Sequence, residues 1–464
     1  MKKIIIAYVL TVMVLLPFHS CNKPSQEVGK DVLDLTFGEN STKMNTGEKY
    51  LIKFSTGETK VSSLSLTWTS SDEQVAIVTN AGEVNAVGPG RASIKAIYQS
   101  VEALCEVEVK DTNYDRPLNP KSLSQPFSDP MAYSIDVPLI APFRVMQSFD
   151  FDKSGNIYYS QIGVAGGFEP GRTKAHEVYI IKSQPNLTGK TDYMTLKYFG
   201  HGGNIAIEED DNGELYVWVG SNATKYASGE YWDEQSVSRI PYRSGQIHNG
   251  YAGESYFLNN GLLRIQAAVD RKSDLLCINA TQGGERHFYT YKLSEAESLN
   301  PKNFTFSVKV GGEEVGGVEQ IISRTVNGRD LSELTPLGSF SVPAGSNKAV
   351  DVNSFPFQGY DIDGSRHVYF FEGNWTETSG SVGQSQAYVT VFDLQGNIVY
   401  PRTRVAALSD INRLMQTGVT NSSGYMEAEG IKIRGNQLYL GFASYQETEN
   451  YRRANIFKYD GARE

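Results

Sequence analysis

The sequence predicts an all-β chain: a small Ig-like β-sandwich followed by a five-bladed β-propeller. Three observations predict it. Gly 44, Pro 17, Tyr 27 and Phe 21, among runs of Val, Ile and Thr, favour short strands joined by turns over long helices. Apolar and polar residues alternate in short stretches broken by Gly, Asn and Ser from about residue 32 to 110. Beyond residue 131 one hairpin pattern recurs five times. At 464 residues the chain exceeds one ordinary domain, so two or three folded units are expected.

The first segment reads as an address. Met1-Lys2-Lys3 is a positive start, and Ile4 to Leu16 is an uncharged apolar run, long enough for a secretory signal and short for a membrane-spanning helix. Leu16-Pro17-Phe18-His19-Ser20-Cys21 then resembles the lipobox of bacterial lipoproteins. That resemblance implies cleavage after residue 20 and acylation of Cys21, whose several chains would hold the protein on a membrane. Residues 21–31 are polar, contain Pro24 and read as a tether.

Residues 32–110 form the sandwich. Trp68-Thr69-Ser70-Ser71-Asp72, Val75-Ala76-Ile77-Val78 and the run from Gly82 to Ala96 closely resemble the bacterial Ig-like group 2 domain. In that likeness Trp68 packs the core, Ser70 to Asp72 turn the chain, and Gly82 and Gly90 occupy tight turns. A rigid sandwich beside an anchor would act as a spacer. Cys105, within Ala103-Leu104-Cys105-Glu106-Val107, reads as a buried strand residue. Residues 111–130 carry Pro117, Pro120, Pro126 and Pro130 without periodicity, so a linker or wrapping segment is expected there.

Residues 131–464 hold the repeat: an alternating strand, an Asp/Gly/Asn turn, and a second strand rich in Tyr, Leu and Val. The copies begin at Gln147, Ile205, Gln266, Gln358 and Glu429, so successive starts lie 58, 61, 92 and 71 residues apart. A hairpin followed by two further strands is the unit of a propeller blade, and these spacings require sizeable loops. An open array of β-sandwich hairpins is the alternative.

Two copies can be placed more closely. Val145 to Asp152, Ile157 to Gln161, Met194 to Glu208 and Leu215 to Trp218 occur in the order seen in the propeller shared by phage P68-type receptor-binding proteins and teichoic acid biosynthesis protein C, with a looser likeness to helveticin J. The resemblance is strongest over residues 143–221. It implies a five-bladed propeller that recognises a surface polymer, and it carries over no catalytic residue.

Candidate ligand-binding residues follow from the repeat. Gln147, Gln266, Gln358 and Glu429 each lead a first strand, and Asn204 stands one residue before the matching position of the second copy. Innermost strands line a propeller's channel, so these side chains are placed to form a polar ring suited to sugar hydroxyls, or to satisfy one another and a few waters. His201, in Gly200-His201-Gly202-Gly203-Asn204, is presented by glycines that permit a sharp turn and close approach; a loop-fixing hydrogen bond is the competing role. Tyr226, Tyr231, Trp232, Tyr251 and Trp375 fall in inter-strand segments, where rings stack on sugar faces or pack between blades. Acids cluster at Asp150/Asp152, Glu208 to Asp211, Asp361/Asp363 and Glu427/Glu429, most at turns where Asp accepts backbone hydrogen bonds.

Composition removes other classes. Lys plus Arg 43 against Asp plus Glu 53 gives a formal charge of −10, which disfavours nucleic acid and anionic teichoic acid and favours a neutral glycan. Cys21, Cys105 and Cys277 are too few and scattered for a disulfide framework or a metal cluster, and no histidine has metal-ligand spacing. Asp150 to Gly155 lacks the downstream acid of a calcium loop. No cofactor is expected. The reading is a lipid-anchored protein of the cell envelope, at the outer membrane or cell surface, whose propeller binds a glycan. The alternatives are a polysaccharide hydrolase or lyase using His201 with Glu427, Glu429 or a channel tyrosine, and a protein-binding propeller.

Overall fold

The computed structural model describes residues 35–460 apart from 46–47, 58–61, 74, 89, 111–117, 124–126, 128–130, 165–172, 184–191, 225–232, 250–253, 259–260, 311–319, 378–382, 421 and 447–450. The signal segment and Cys21 lie outside these residues, as do Tyr226, Tyr231, Trp232 and Tyr251. No helix among the described residues is long and apolar enough to cross a membrane.

The first unit is a sandwich. Ser41–Asn45, Val101–Lys110, Gly90–Tyr98 and Thr67–Ser70 form one sheet, and Lys49–Leu51, Glu83–Ala86 and Ala76–Val78 the other. Period-two alternation in Gly90–Tyr98 buries Ala92, Ile94 and Ala96 on one face. They pack with Cys105, Val107 and Trp68. Trp68 stacks on Phe37 with centroids 5.8 Å apart, and its indole N–H donates to the Ser63 carbonyl. The Ser70 hydroxyl accepts from the Asp72 amide and fixes the turn expected there.

The second unit is a propeller of five antiparallel blades. Blade one is Ser148–Phe151, Ile157–Val164, Thr173–Ser183 and Asp192–Lys197; blade two is Ala206–Glu209, Leu215–Ser221, Ser236–Pro241 and Glu254–Phe257. Blade three is Leu263–Asp270, Leu275–Gln282, Glu285–Lys292 and Gly338–Val342; blade four is Phe357–Ile362, Val368–Glu377, Gly383–Phe392 and Ile398–Arg404. Blade five has Tyr425–Arg434, Gln437–Gln446 and Tyr451–Asp460, and its outer strand is Met131–Val137 from the start of the unit. That strand closes the ring.

The repeat's turn explains its letters. Asp152 Oδ1 accepts from the Asn156 amide and Asp363 Oδ1 from the His367 amide, which closes the turn between the first two strands. The tyrosine of the second strand then donates back, Tyr158 to Asp152 and Tyr369 to Asp363. An Asp at the turn and a Tyr six residues later thus fold one hairpin.

Apolar clusters fill the spaces between successive blades. Val178, Leu196, Val217 and Ile240 join blades one and two, and Phe149, Ile181, Tyr439 and Ile456 join blades five and one. Leu118, Leu123 and Phe127 enter the cluster of blades four and five, where Phe127 meets Tyr459 edge-on at 5.2 Å. The described part of residues 111–130 therefore wraps the propeller.

Two insertions extend the outer edges of the first two blades. Ile247–Asn249 adds in parallel to the outer edge of blade one. The hairpin Lys302–Val310 and Gln320–Asp330 leaves blade three before its last strand and adds in parallel to the outer edge of blade two. It occupies the long interval between the third and fourth copies.

Candidate functional site

The strand register assigns every first-strand residue to a level along the axis. Asp150, Glu208, Val269, Asp361 and Lys432 pair with Tyr158, Tyr216, Leu276, Tyr369 and Tyr439, so they are equivalent positions in the five blades. Gln147, Ile205, Gln266, Gln358 and Glu429 precede them by three residues each and form a second set of equivalents. Gln266 pairs with Asn279, whereas Gln358 and Glu429 fall at register shifts, between Phe357 and Gly359 and between Ala428 and Ile431.

Asn204 holds the centre between these levels. It is 1% exposed, its amide donates to the Ala267 carbonyl at 2.9 Å and its Oδ1 accepts from the Tyr360 amide at 3.3 Å. One side chain of blade two thus braces blades three and four. Gly359 has φ +126°, and a β-carbon there would lie 3.3 Å from Asn204 Oδ1 and 3.5 Å from Gly430 Cα. Tyr360 continues the brace by donating to the Gln266 and Cys277 carbonyls. The channel has two mouths, one at the start of the first strands and one at the turns that follow them.

The first mouth lies where the first strands begin. Glu429 is 4% exposed and Gln147 is buried, and neither side chain has a hydrogen bond among the described residues. Gln266 Oε1 is buried and unpaired, while Gln358 Nε2 donates to the Gly373 carbonyl. Burial, with Glu427 nearby, pushes the Glu429 carboxyl well above the ordinary glutamate value against the opposing charge of Arg452. Glu427 moves the same way, again through burial.

His201 stands on the same rim. Its backbone N–H donates to Glu234 Oε1 at 3.0 Å, and burial with Arg144 nearby lowers the imidazole to about 4, so the ring is neutral at pH 7. Glu234 is itself buried and pushed up to about 7 by desolvation. It explains the glycine before the histidine: Gly200 has φ +75°, and a β-carbon there would fall inside the Glu234 carboxyl. Arg286 lies over the Phe357 ring of blade four, 3.7 Å from its centroid, with a buried Nε that has no partner. Burial lowers it to about 9.

Trp375 belongs to the strand Val368–Glu377 and pairs through its backbone with Ser385; its side chain, like Tyr231 and Trp232, is outside the described residues. Among the described residues no group of three His, Cys, Asp or Glu side chains is placed to hold a metal ion. Sequence reasoning did not single out Glu234 or Arg286, because their roles depend on which strands the fold brings beside the Gly200 loop.

The second mouth opens at the turns between first and second strands. A cavity of about 680 Å³ there is lined from all five blades, by Asp150 to Lys153, Ile207 to Glu209 with Asp211, Val269 to Ser273, Asp361 to Ser365 and Ile433 to Gly435. Glu208 is fully buried and accepts from Trp218 Nε1 at 2.5 Å, from Arg239 Nε at 3.0 Å and Nη2 at 2.7 Å, and from Arg271 Nε at 2.6 Å. Burial would raise its carboxyl, but the bonds from Arg239, Trp218 and Arg271 hold it below the ordinary value. Asp150 and Asp361 are raised by burial, Asp361 to about 7.

Comparison with known proteins agrees with these two units. Residues 32–109 match the bacterial Ig-like domain (group 2), and residues 145–290 match the phage 5-bladed beta propeller receptor binding platform domain. Over 143 residues the chain is 32% identical to the major teichoic acid biosynthesis protein C of Bacillus subtilis (strain 168), covering 30% of each chain. The tail fiber of Staphylococcus aureus phage P68 is similar over 73% of this chain and 54% of its own, at 14% identity and TM-score 0.45. A polysaccharide lyase, Uly1, is similar over 75% of this chain and 98% of its own, at 10% identity and TM-score 0.28. The chain thus spans less than a third of the teichoic acid relative and about half of the tail fiber. By sequence match and by fold alike, it joins a bacterial Ig-like group 2 domain to a five-bladed propeller similar to the phage receptor binding platform.

Proposed function

We propose that the propeller binds a glycan or related surface polymer at the mouth where its first strands begin. One observation carries the reading: Glu429, Gln147 and Gln266 are polar, buried or half-buried, and leave hydrogen-bonding groups without protein partners in a ring of equivalent positions. Such groups are costly unless something pairs with them. Sugar hydroxyls both donate and accept, so they suit the Gln147 and Gln266 amides and the Glu429 carboxyl alike. The receptor-binding description of the matching family and the name of the teichoic acid relative support a surface polymer. The formal charge of −10 favours a neutral one.

The same proposal places the protein in the cell envelope, anchored through acylated Cys21, with the Ig-like domain as spacer. Replacing Cys21 by Ser is expected to move the protein from the membrane fraction to the soluble one. Unchanged fractionation would refute the anchor.

The binding test uses the chain from residue 22 onward on an array of neutral and anionic glycans. Retention on a neutral glycan, weakened by Glu429→Gln and by His201→Ala, is expected; retention unchanged in both variants would refute this mouth as the site. A second reading, a polysaccharide hydrolase or lyase, is favoured by one observation: raised carboxyls at Glu427 and Glu429 stand on the rim with a neutral His201. Reducing ends or unsaturated products released from the bound polymer would establish it over binding alone.

A further inference from the structure

The paired acids of the first mouth lack a cation among the described residues. Glu427 and Glu429 stand two residues apart on the strand Tyr425–Arg434, close enough that the charge of Glu427 acts on Glu429. Neither carboxyl has a hydrogen bond or an ion pair among the described residues. Arg452 is the positive group that both feel. It lies over the Tyr445 ring, 4.3 Å from its centroid, and forms no ion pair with either.

The backbone brings a third acceptor beside them. Glu429 falls at the register shift between Ala428 and Ile431, and Gly430 follows it at φ +142°. A β-carbon on Gly430 would lie 3.6 Å from Ser148 Cα, so the first strand of blade one packs directly against this bulge. One residue back on the two strands stand Glu429 and Gln147. Gln147 is 8% exposed, and its side chain also has no hydrogen bond among the described residues. The polar atoms of Gln147, Glu427 and Glu429 nevertheless remain open to solvent.

We propose that the first mouth selects a glycan carrying a free amine, an amino sugar without its N-acyl group, whose ammonium is held by Glu427 and Glu429 while Gln147 takes a neighbouring hydroxyl. This rests on the reading of the first mouth as the polymer site and names the chemistry of its ligand. An ammonium has three donors and no acceptor, which matches a surplus of carboxyl oxygens; a hydroxyl brings one donor and no charge. Burial raises both carboxyls, so an entering cation also restores the charged form that burial disfavours. A metal ion fits less well, since no group of three His, Cys, Asp or Glu side chains is placed to hold one among the described residues. The formal charge of −10, which repels a polyanion, attracts a chain bearing amines.

The test is calorimetry at about pH 6 on the chain from residue 22 onward, with three β-1,4-linked hexasaccharides that differ only at C2: glucosamine, N-acetylglucosamine and glucose. The glucosamine chain is expected to bind about tenfold or more tightly than the other two. Glu427→Gln is expected to cut that preference to about threefold or less, because it removes one of the two charges; Glu429→Gln serves the same purpose should the first variant fail to fold. Equal binding of the three chains, binding of none, or a preference unchanged in a folded variant would overturn the proposal, the last by marking a general attraction to an acidic protein. Calcium chloride raising the melting temperature as the glucosamine chain does would also overturn it, by assigning the pair to a metal. The first mouth itself is judged on retention of array glycans and on His201→Ala, so glycans can bind there without any preference for an amine.

Discussion

Replacing Glu208 by Ala is expected to be among the most damaging single changes in the propeller. The carboxylate is fully buried and joins Trp218 and Arg239 of blade two to Arg271 of blade three. Its loss strands Arg239, whose side chain is only 11% exposed and whose remaining support is the Tyr216 ring, 3.4 Å from the guanidinium carbon. Removing one partner of a buried ion pair costs about 3–5 kcal/mol, because the other charge stays buried and unpaired. Arg271 softens the loss, since it also pairs with Glu297 and is partly exposed. A total near 4 kcal/mol follows, equivalent to a Tm fall of roughly 5–10 °C. Urea unfolding followed by tryptophan fluorescence is the assay, with Trp218 beside the lesion. The double variant Glu208→Met, Arg239→Met removes both charges and is expected to be more stable than Glu208→Ala. A loss below about 1 kcal/mol for Glu208→Ala, or a double variant no better than the single one, would refute the argument.

Acid should weaken the same network. The folded Glu208 carboxyl lies below its unfolded value, so its contribution is complete above the ordinary glutamate range and is lost as pH falls through and below it. Comparing wild type with Glu208→Gln by urea midpoint between pH 3 and 6 checks this, and the variant should show the flatter profile. Glu234 behaves oppositely. Its folded value of about 7 is raised, so folding favours the protonated form and stability falls as pH rises from about 5 to 8. Glu234→Gln should remove that slope, as read by Tm against pH, and an unchanged slope would assign it elsewhere. Phe127→Ala should lower propeller stability by about 3–5 kcal/mol, since the ring is fully buried between Tyr400 and Tyr459; an effect within about 0.5 kcal/mol would mean that residues 118–127 do not support the propeller.

The fold was legible where chemistry is local. Each Asp turn writes its own hairpin, so Asp152 with Tyr158 and Asp363 with Tyr369 could be recognised without knowing what lies beside them. The Ig-like unit was legible for the same reason, through Trp68 and the turn at Ser70 to Asp72. What was illegible depends on pairing across the ring. Met131–Val137 carries no copy of the repeat, yet it completes blade five, and Phe127 sits in a stretch without periodicity.

At the site, the ring positions were legible because they lead the repeat, whereas the environments were not. Asp150 and Asp152 read alike as acids near a turn, but Asp152 caps the turn and Asp150 faces the next blade. Lys432 was assigned no role from the sequence. A signal existed: it stands three residues after Glu429, as Asp150 stands after Gln147 and Asp361 after Gln358. Extending the repeat alignment by those three residues would have set a lysine against two aspartates.

The closing strand fixes the order in which this chain can finish. Met131 pairs with Lys458, and the Asp136 carboxylate accepts from the Thr420 amide and hydroxyl, so the first strand of the propeller waits for nearly the last residues of the chain. Pairings that distant are slow to form, because loop-closure entropy opposes them until the intervening blades are in place. A chain emerging from its N-terminus during synthesis would expose Met131–Val137 as an unpaired strand until Tyr451–Asp460 emerged. Truncation by even one terminal strand should then yield an open ring with two sticky edges, prone to join another copy, in place of a smaller propeller.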